Sequence, residues 1–396
     1  MKISELLQLN ELAIKDGERY PKKRELYQKI ASSEGKHFIG IVGPRGVGKT
    51  VLLKQLALEL PRTFYLSVDT MDGEDLFEIA EELGERYRVK CLLLDEVHFQ
   101  PGYDRCLKKI FDFLKMRVIF TSSVSLSLFD STVDLSRRAT LEYLYPFTYR
   151  EYLFFRKDLS LPKLTLEDII RKRWTDGHIR TEYLFDPYLQ GGLMPFSLEE
   201  PEPLPILKNI LEKIIHKDIP SVARLRVDEL PGLKKMVQFV GRSPGEGINF
   251  SSLSRNIGIT KYKAEQYVNL LAKTFVLNPV YPTGTNVLRE PKVLMYLPFR
   301  LLYREYDKAI GYLREDFFAE MMRMKGLEFD YLKSKRGRKT PDFLVRSQDG
   351  DIVVEVGGRG KGREQFKGIK VEKQLILSHP TQIEGIKRPL FLLGFI

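Results

Sequence analysis

Residues 40–53, GIVGPRGVGKTVLL, decide how the chain begins to fold. Ahead of this stretch, residues 37–42 (HFIGIV) form an apolar run rich in branched side chains, the pattern of a strand buried in a parallel sheet. Behind it, TVLLKQLALEL (50–60) repeats apolar positions at helical spacing. Between the two, Gly43, Pro44, Arg45, Gly46, Val47, Gly48, Lys49 and Thr50 satisfy GxxxxGK[ST] in the strand, loop, helix context that the motif requires. Such a loop, running into Val51, lets backbone N–H groups converge on phosphate oxygens at a helix N-terminus. Lys49 is placed to reach the β- and γ-phosphates, and the Thr50 hydroxyl to ligate Mg²⁺. The expected cofactors are ATP or ADP with Mg²⁺.

A second motif supports the first. VKCLLLDEVH (89–98) is a hydrophobic strand ending in Asp95 and Glu96. Asp95 is expected to hold the Mg²⁺ and Glu96 to polarise the attacking water. The strand after it, RVIFTSS (117–123), places Thr121 where it can sense the γ-phosphate. Strands at 38–42, 63–68, 91–95 and 117–121 alternate with helices at 50–60, 73–86 and 103–115, which predicts a doubly wound α/β sheet with its site at the strands' C-terminal ends. Arg137 and Arg138 precede a fifth strand. A guanidinium near the γ-phosphate, from the same chain or from a neighbouring subunit, stabilises transition-state charge.

Composition narrows the classes. The 396 residues are 43% hydrophobic, enough for sizeable cores in two to four compact units. The two cysteines, Cys91 and Cys106, form no CxxC pair, which argues against a disulfide framework and a thiolate zinc site. The start of the chain lacks a secretion signal, and no apolar run approaches the length of a membrane span, so a cytoplasmic setting without membrane contact is expected. The net charge of +11 is unevenly spread. Residues 1–150 hold 23 Lys/Arg against 22 Asp/Glu, while the remainder holds 41 against 31. An anionic macromolecule, if one binds, meets the C-terminal two thirds.

Within that basic part, residues 245–285 carry a helix-turn-helix pattern. Asn249 or Ser251 caps a short helix, Gly258 permits a tight turn, and Thr260 caps a second helix whose inward positions are Ala264, Val268, Leu271 and Phe275. VLNPVYPTG then opens a β-wing. Lys261 and Lys263 stand at the start of the second helix, where side chains reach bases or phosphates of DNA. Lys335, Arg336 and Arg338, in the run SKRGRK (334–339), extend the same expectation.

GPRGVGKT, LLLDEVH, VIFTSS and RRATLEYLYPFTYREYL, followed by YLQGGLMP (188–195) and ILEKIIHKDI, resemble the AAA-type P-loop ATPases that carry a DUF4143 C-terminal region. The resemblance covers nearly the whole chain. It singles out Arg138 as the functional arginine and implies a helical lid after the core, with winged-helix and nuclease-like modules beyond. Gly46 stands where the family often has a second arginine. The last 95 or so residues further resemble a PD-(D/E)xK nuclease fold, with Glu315 on a helix and Asp342 and Glu355 on strands. The resemblance implies that Asp342 and Glu355 bind a divalent metal, but Gly357 stands where the lysine should follow. Lys361 and Lys367 are the nearest substitutes.

The expected architecture is therefore a P-loop AAA-type core over 1–157, a helical lid over 158–240, a winged helix over 241–295 and a nuclease-like α/β domain over 296–396. The expected function is Mg²⁺-dependent ATP hydrolysis coupled to DNA binding, with a homo-oligomer or a protein partner admitted. The alternatives are a slow nucleotide switch acting on a partner and an ATP-gated nuclease.

Overall fold

A computed structural model describes residues 3–71, 73–125, 135, 137–223, 225–243, 247–284, 290–333, 340–347, 349–366 and 373–396. The chain divides into two compact units. The first is Met1–Pro146 with Lys213–Leu225, and the second is Phe147–Glu212 with Arg226–Ile396. Unit 1 thus takes in a stretch from the middle of the segment read as the lid. Helices of seven or more residues are numbered below.

In unit 1, α1 (Ile3–Gly17) and α2 (Glu25–Ala31) lead into β1 (Phe38–Val42), followed by α3 (Lys49–Glu59), β2 (Thr63–Ser67), α4 (Leu76–Arg86), β3 (Cys91–Asp95), α5 (Tyr103–Phe113), β4 (Arg117–Ser122) and β5 (Ala139–Tyr143). The five strands pair in parallel in the order β2-β3-β4-β1-β5. Every residue of β1 and β3 is buried, as their unbroken apolar runs require of strands covered on both faces. One face of the sheet packs Leu92, Leu94, Val118 and Phe120 against Ala80 and Leu83 of α4 and Leu107 and Ile110 of α5. β1 and β3 flank the central β4, so the loops leaving their C-terminal ends, 43–48 and 96–98, open at the same edge of the sheet on either side of the end of β4. That edge carries the site.

In unit 2, α6 (Tyr149–Lys157) starts at a reciprocal cap between Thr148 and Glu151. There follow α7 (Pro203–Lys213), α8 (Leu230–Arg242), α9 (Phe250–Ile257), α10 (Lys261–Lys273) and the antiparallel pair β6 (Leu277–Val280) and β7 (Lys292–Met295). After α11 (Tyr306–Met324), a mixed sheet of order β12-β11-β10-β9-β8 is built from β8 (Phe329–Tyr331), β9 (Phe343–Val345), β10 (Ile352–Gly357), β11 (Lys373–Ser378) and β12 (Lys387–Pro389). The ring of Tyr149 meets those of Phe185, Tyr188, Phe391 and Phe395 at centroid distances of 5.3 to 5.9 Å, which joins the residues after α6 to the end of the chain. Among the described residues no helix is long and apolar enough to cross a membrane.

Candidate nucleotide site

The loop folds as it does for two separate reasons. Gly46 and Gly48 take φ of 85° and 87°, the left-handed region that side chains rarely adopt. Gly43 is needed for space, since a β-carbon there would lie 1.9 Å from the Leu144 carbonyl oxygen that follows β5. With these three glycines the chain turns from β1 into α3, whose N-terminus opens at the same edge as the end of β3.

Lys49 is 4% exposed. Its Nζ donates to the carbonyl oxygens of Gly43 and Pro44, both at 2.9 Å, and to Ser123 Oγ at 2.8 Å. Burial pulls its pKa down, opposed by the charge of Glu96. Asp95 accepts three hydroxyl hydrogens, from Thr50 at 2.6 Å, from Tyr65 at 2.9 Å and from Thr121 at 2.5 Å. Burial and the neighbouring Glu96 raise its carboxyl above the usual range, and those three bonds resist the rise. Thr50 and Asp95 together fit an Mg²⁺ site of the nucleotide-bound kind, since a hydroxyl and a carboxylate oxygen already converge within hydrogen-bond distance.

Glu96 adopts φ 53°, an uncommon backbone for a side chain of its size. The turn brings its carboxylate back onto Ser123, whose hydroxyl donates to Oε1 at 2.6 Å and whose N–H donates to Oε2 at 3.1 Å. His98 Nδ1 stands 3.3 Å from Oε2, and Arg45 Nη1 stands 3.7 Å from Oε1. Burial alone would raise the Glu96 carboxyl, but the charges of Lys49, His98 and Arg45 bring it down to about 2. It is an anion at any working pH.

Thr121 does not point its hydroxyl at an empty seat. It donates to Asp95 and accepts from the Glu96 N–H at 2.8 Å, so it ties the two acidic residues together. Ser123, two residues later, was not singled out by the sequence. It is the residue that touches both Lys49 and Glu96, and its only signal is the run of hydroxyls that ends the strand. Asp218 was missed as well. It is fully buried in unit 1 and takes the Arg45 guanidinium in a fork, Nε to Oδ2 at 2.9 Å and Nη2 to Oδ1 at 2.7 Å.

Arg138 lies elsewhere. Its carbonyl accepts from the Phe38 N–H at 2.8 Å, and Ala139 pairs with Phe38, so Arg138 sits where β1 begins. The loop of its own chain starts where β1 ends, roughly 16 Å away along the strand. The guanidinium forks onto Asp112 at 2.9 and 3.0 Å.

The remaining predicted residues fall in unit 2. Asn249 and Thr260 cap α9 and α10, accepting from Ser252 N–H at 2.9 Å and Lys263 N–H at 3.2 Å, and Gly258 between them has φ 76°. Lys261 pairs with Glu290 at 2.5 Å, and Lys263 pairs with Glu229. Lys335, Arg336, Arg338 and Lys367 lie outside the described residues.

Asp342 and Glu355 are brought together at the junction of β9 and β10, near Glu315 of α11. Lys361 Nζ reaches Glu355 Oε1 at 2.5 Å, and Lys292 pairs with Glu315. The stem of Lys361 crosses Gly357 so closely that a β-carbon there would lie 2.7 Å from Lys361 Cγ. Burial and the charges of Glu315 and Glu355 push Asp342 up to about 8. Among the described residues no group of three or more His, Cys, Asp or Glu is set to hold a metal ion. In this arrangement two ammonium groups, those of Lys361 and Lys292, stand against the carboxylates of Glu355 and Glu315.

Residues 182–296 match a domain of unknown function, DUF8612. The sequence reads as DUF4143-like in this region, and the family that matches is DUF8612 instead. The protein MJ1637 of Methanocaldococcus jannaschii is 29% identical over 406 residues, spanning 91% of this chain and 85% of its own. Among solved structures, ORC1 of Aeropyrum pernix in complex with DNA overlaps at 12% identity and a TM-score of 0.30, over 75% of this chain and 93% of that one. The RuvB Holliday junction branch migration motor of Thermotoga maritima overlaps at 16% identity and a TM-score of 0.28, over 66% and 90%. Overlaps this loose carry no argument about function. Residues 35–153 match the family described as an AAA domain. With its glycine loop, its Asp95–Glu96 strand end and its five parallel strands, this part of the chain is an AAA-type P-loop domain.

Proposed function

We propose that the chain is an Mg²⁺-dependent ATPase whose turnover is coupled to a basic C-terminal half that binds DNA, in a cytoplasmic setting. The observation that carries this reading is one continuous network, in which Thr50, Asp95, Thr121, Glu96, Ser123 and Lys49 are linked by hydrogen bonds no longer than 2.8 Å. The loop amides and Lys49 would bind the phosphates, Lys49 exchanging its two loop carbonyls for phosphate oxygens. Thr50 and Asp95 would hold Mg²⁺, which when bound neutralises charge on the β- and γ-oxygens. Glu96, anionic and fixed by Ser123, orients the attacking water. Arg138 can reach only the phosphates of a neighbouring subunit, so a role for it requires a homo-oligomer.

DNA binding rests on the surplus of 10 positive charges beyond residue 150 and on the helix-turn-helix pattern of α9 and α10, which is read here as part of a winged helix. Lys261 and Lys263 must leave Glu290 and Glu229 to meet phosphate. Cleavage by the C-terminal α/β part is not included, because Gly357 stands where the motif's lysine should follow Glu355, although Lys361 reaches that carboxylate from four positions on.

A second reading is favoured by Ser123. A hydroxyl that holds Lys49 and Glu96 to each other suits a site that turns over slowly and reports nucleotide to a partner. Steady-state ATP hydrolysis by the wild type and Glu96→Gln, with and without duplex and single-stranded DNA, separates the two. The proposal expects DNA stimulation that fades steeply with salt and is lost in the variant. ATP binding with negligible turnover, indifferent to DNA, would overturn it in favour of the switch.

A further inference from the structure

We propose that Arg45 supplies, from within the chain's own glycine loop, the guanidinium that stabilises charge on the transferred phosphoryl group, and that Asp218 positions it there. This rests on the ATPase reading above and names the arginine which that reading leaves without a place in cis.

Three observations bring Arg45 to the reacting atoms. It occupies the third position of the loop, between Gly43 and Gly48, whose backbone would surround the phosphates. Its Nη1 lies 3.7 Å from Glu96 Oε1, beside the group that would orient the water and beyond hydrogen-bond distance of it. Its other edge, Nε and Nη2, is held by both oxygens of Asp218. A planar guanidinium can serve two partners at once in this way, one edge fixed and one corner offered, which a lysine ammonium on a flexible stem cannot do.

Asp218 comes from the short helical stretch Ile214–Asp218, which continues into Ile219–Val222 and packs against residues 97–99 in the same unit. The Arg45 side chain is 13% exposed and that of Asp218 1%. A pair so far removed from water gains little stability over apolar residues of the same shape. What the fork secures is direction. With Asp218 on one edge, Nη1 is held on the side of Glu96, 3.7 Å from its Oε1. Arg138, at the opposite end of β1, cannot reach that place from its own chain.

In the step itself, the water oxygen bonds to the γ-phosphorus as the bond from that phosphorus to the bridging oxygen of ADP breaks. The electron pair of the broken bond stays on ADP, and the water proton leaves past Glu96 to solvent. Negative charge on the γ-oxygens is met by Lys49 on one side and by Arg45 Nη1 on the other.

The test uses the full chain and compares wild type, Arg45→Ala, Arg45→Lys and Asp218→Asn by single-turnover ATP hydrolysis, ADP binding, ADP–aluminium fluoride binding and thermal melting. Arg45→Ala is expected to slow the chemical step by about 10³-fold, within the range for an arginine of this role. It should bind ADP within about threefold of wild type, lose the tight binding of ADP–aluminium fluoride, and regain part of its rate on adding free guanidinium ion. Arg45→Lys should not recover the rate. Asp218→Asn should lower kcat about tenfold at nearly unchanged KM, with the loss also visible in aluminium fluoride affinity, which a purely structural role would leave alone. Should Arg45→Ala fail to fold around an unpaired Asp218, the double variant Arg45→Met with Asp218→Leu removes both charges and is expected to be as stable as wild type and equally slow. Wild-type turnover preserved within threefold in a folded Arg45 variant would overturn the proposal while leaving the ATPase reading intact. An inactive wild type would overturn both.

Discussion

Gly43→Ala tests whether the loop is shaped by space or by backbone conformation. The added β-carbon would sit 1.9 Å from the Leu144 carbonyl oxygen, and real contacts of this kind stay beyond 3.0 Å, so the loop and the end of β5 must part by at least 1.1 Å. One backbone bond spans the same place, Leu144 N–H to Val42 O at 2.9 Å. Losing it costs about 0.5–1.5 kcal/mol, and forcing two packed segments apart adds about 1–3 kcal/mol more. The sum of about 1.5–4.5 kcal/mol lowers the melting temperature of a unit this size by roughly 3–18 °C. A displacement of about 1 Å in groups that must converge on phosphate also weakens function about 100-fold. Differential scanning calorimetry and ADP titration would read the two effects. Gly48→Ala is the comparison, because nothing lies within 4 Å of its β-carbon position and only its φ of 87° opposes the change, at about 1–2 kcal/mol. If Gly43→Ala melts within 1 °C of wild type and binds ADP normally, the steric account of the loop is wrong.

Glu320 is fully buried, its Oε2 accepting from the Leu297 N–H at 2.8 Å, and burial pushes its carboxyl up to about 8. The folded state then keeps a proton that the unfolded state sheds near pH 4.3, so stability falls with rising pH, by about 1.4 kcal/mol per unit, until about pH 8; urea unfolding at pH 6 and pH 8 should show this slope reduced in Glu320→Gln, and an unchanged slope would count against it. Asp316 holds Arg300 through two bonds at 2.6 and 3.0 Å with both side chains out of water. Asp316→Ala should cost about 3–5 kcal/mol by leaving the guanidinium unpaired, and adding Arg300→Met should recover most of it. Asn249→Ala removes the cap of α9 and should destabilise unit 2 by about 1 kcal/mol in equilibrium unfolding.

Local features were legible in the sequence and distant ones were not. The loop, Lys49, Thr50 and the Asp95–Glu96 strand end could be read because strand, turn and helix signals lie within a dozen residues of the chemistry. β1 and β3 fall at the expected residues, and α9 and α10 start at the expected caps. Asp218 could not be read, since it meets Arg45 across 173 positions and belongs to no motif. Ser123 was hidden among three adjacent hydroxyl residues, where only the turn of the backbone decides which one faces Lys49. The position of Arg138 was more readable than it was taken to be. A residue that precedes a strand parallel to β1 must stand at the start of β1, at the far end of the sheet from the loop. Lys361 shows the reverse case. A side chain four positions beyond Gly357 reaches the carboxylate through a bend, and spacing alone gives no sign of it.

The division of the chain into units also governs how it can be made. Unit 1 takes 146 residues from the start and a short piece ending at Leu225, with a stretch of unit 2 between them. On a ribosome adding roughly 5–20 residues per second, the strands of unit 1 would emerge about 4–16 seconds before the piece that brings Asp218 to Arg45. During that interval Lys49 and Arg45 have Glu96 beside them, but the fork of Asp218 that fixes the Arg45 guanidinium is not yet made, so the direction of that side chain is the last feature of the site to be set.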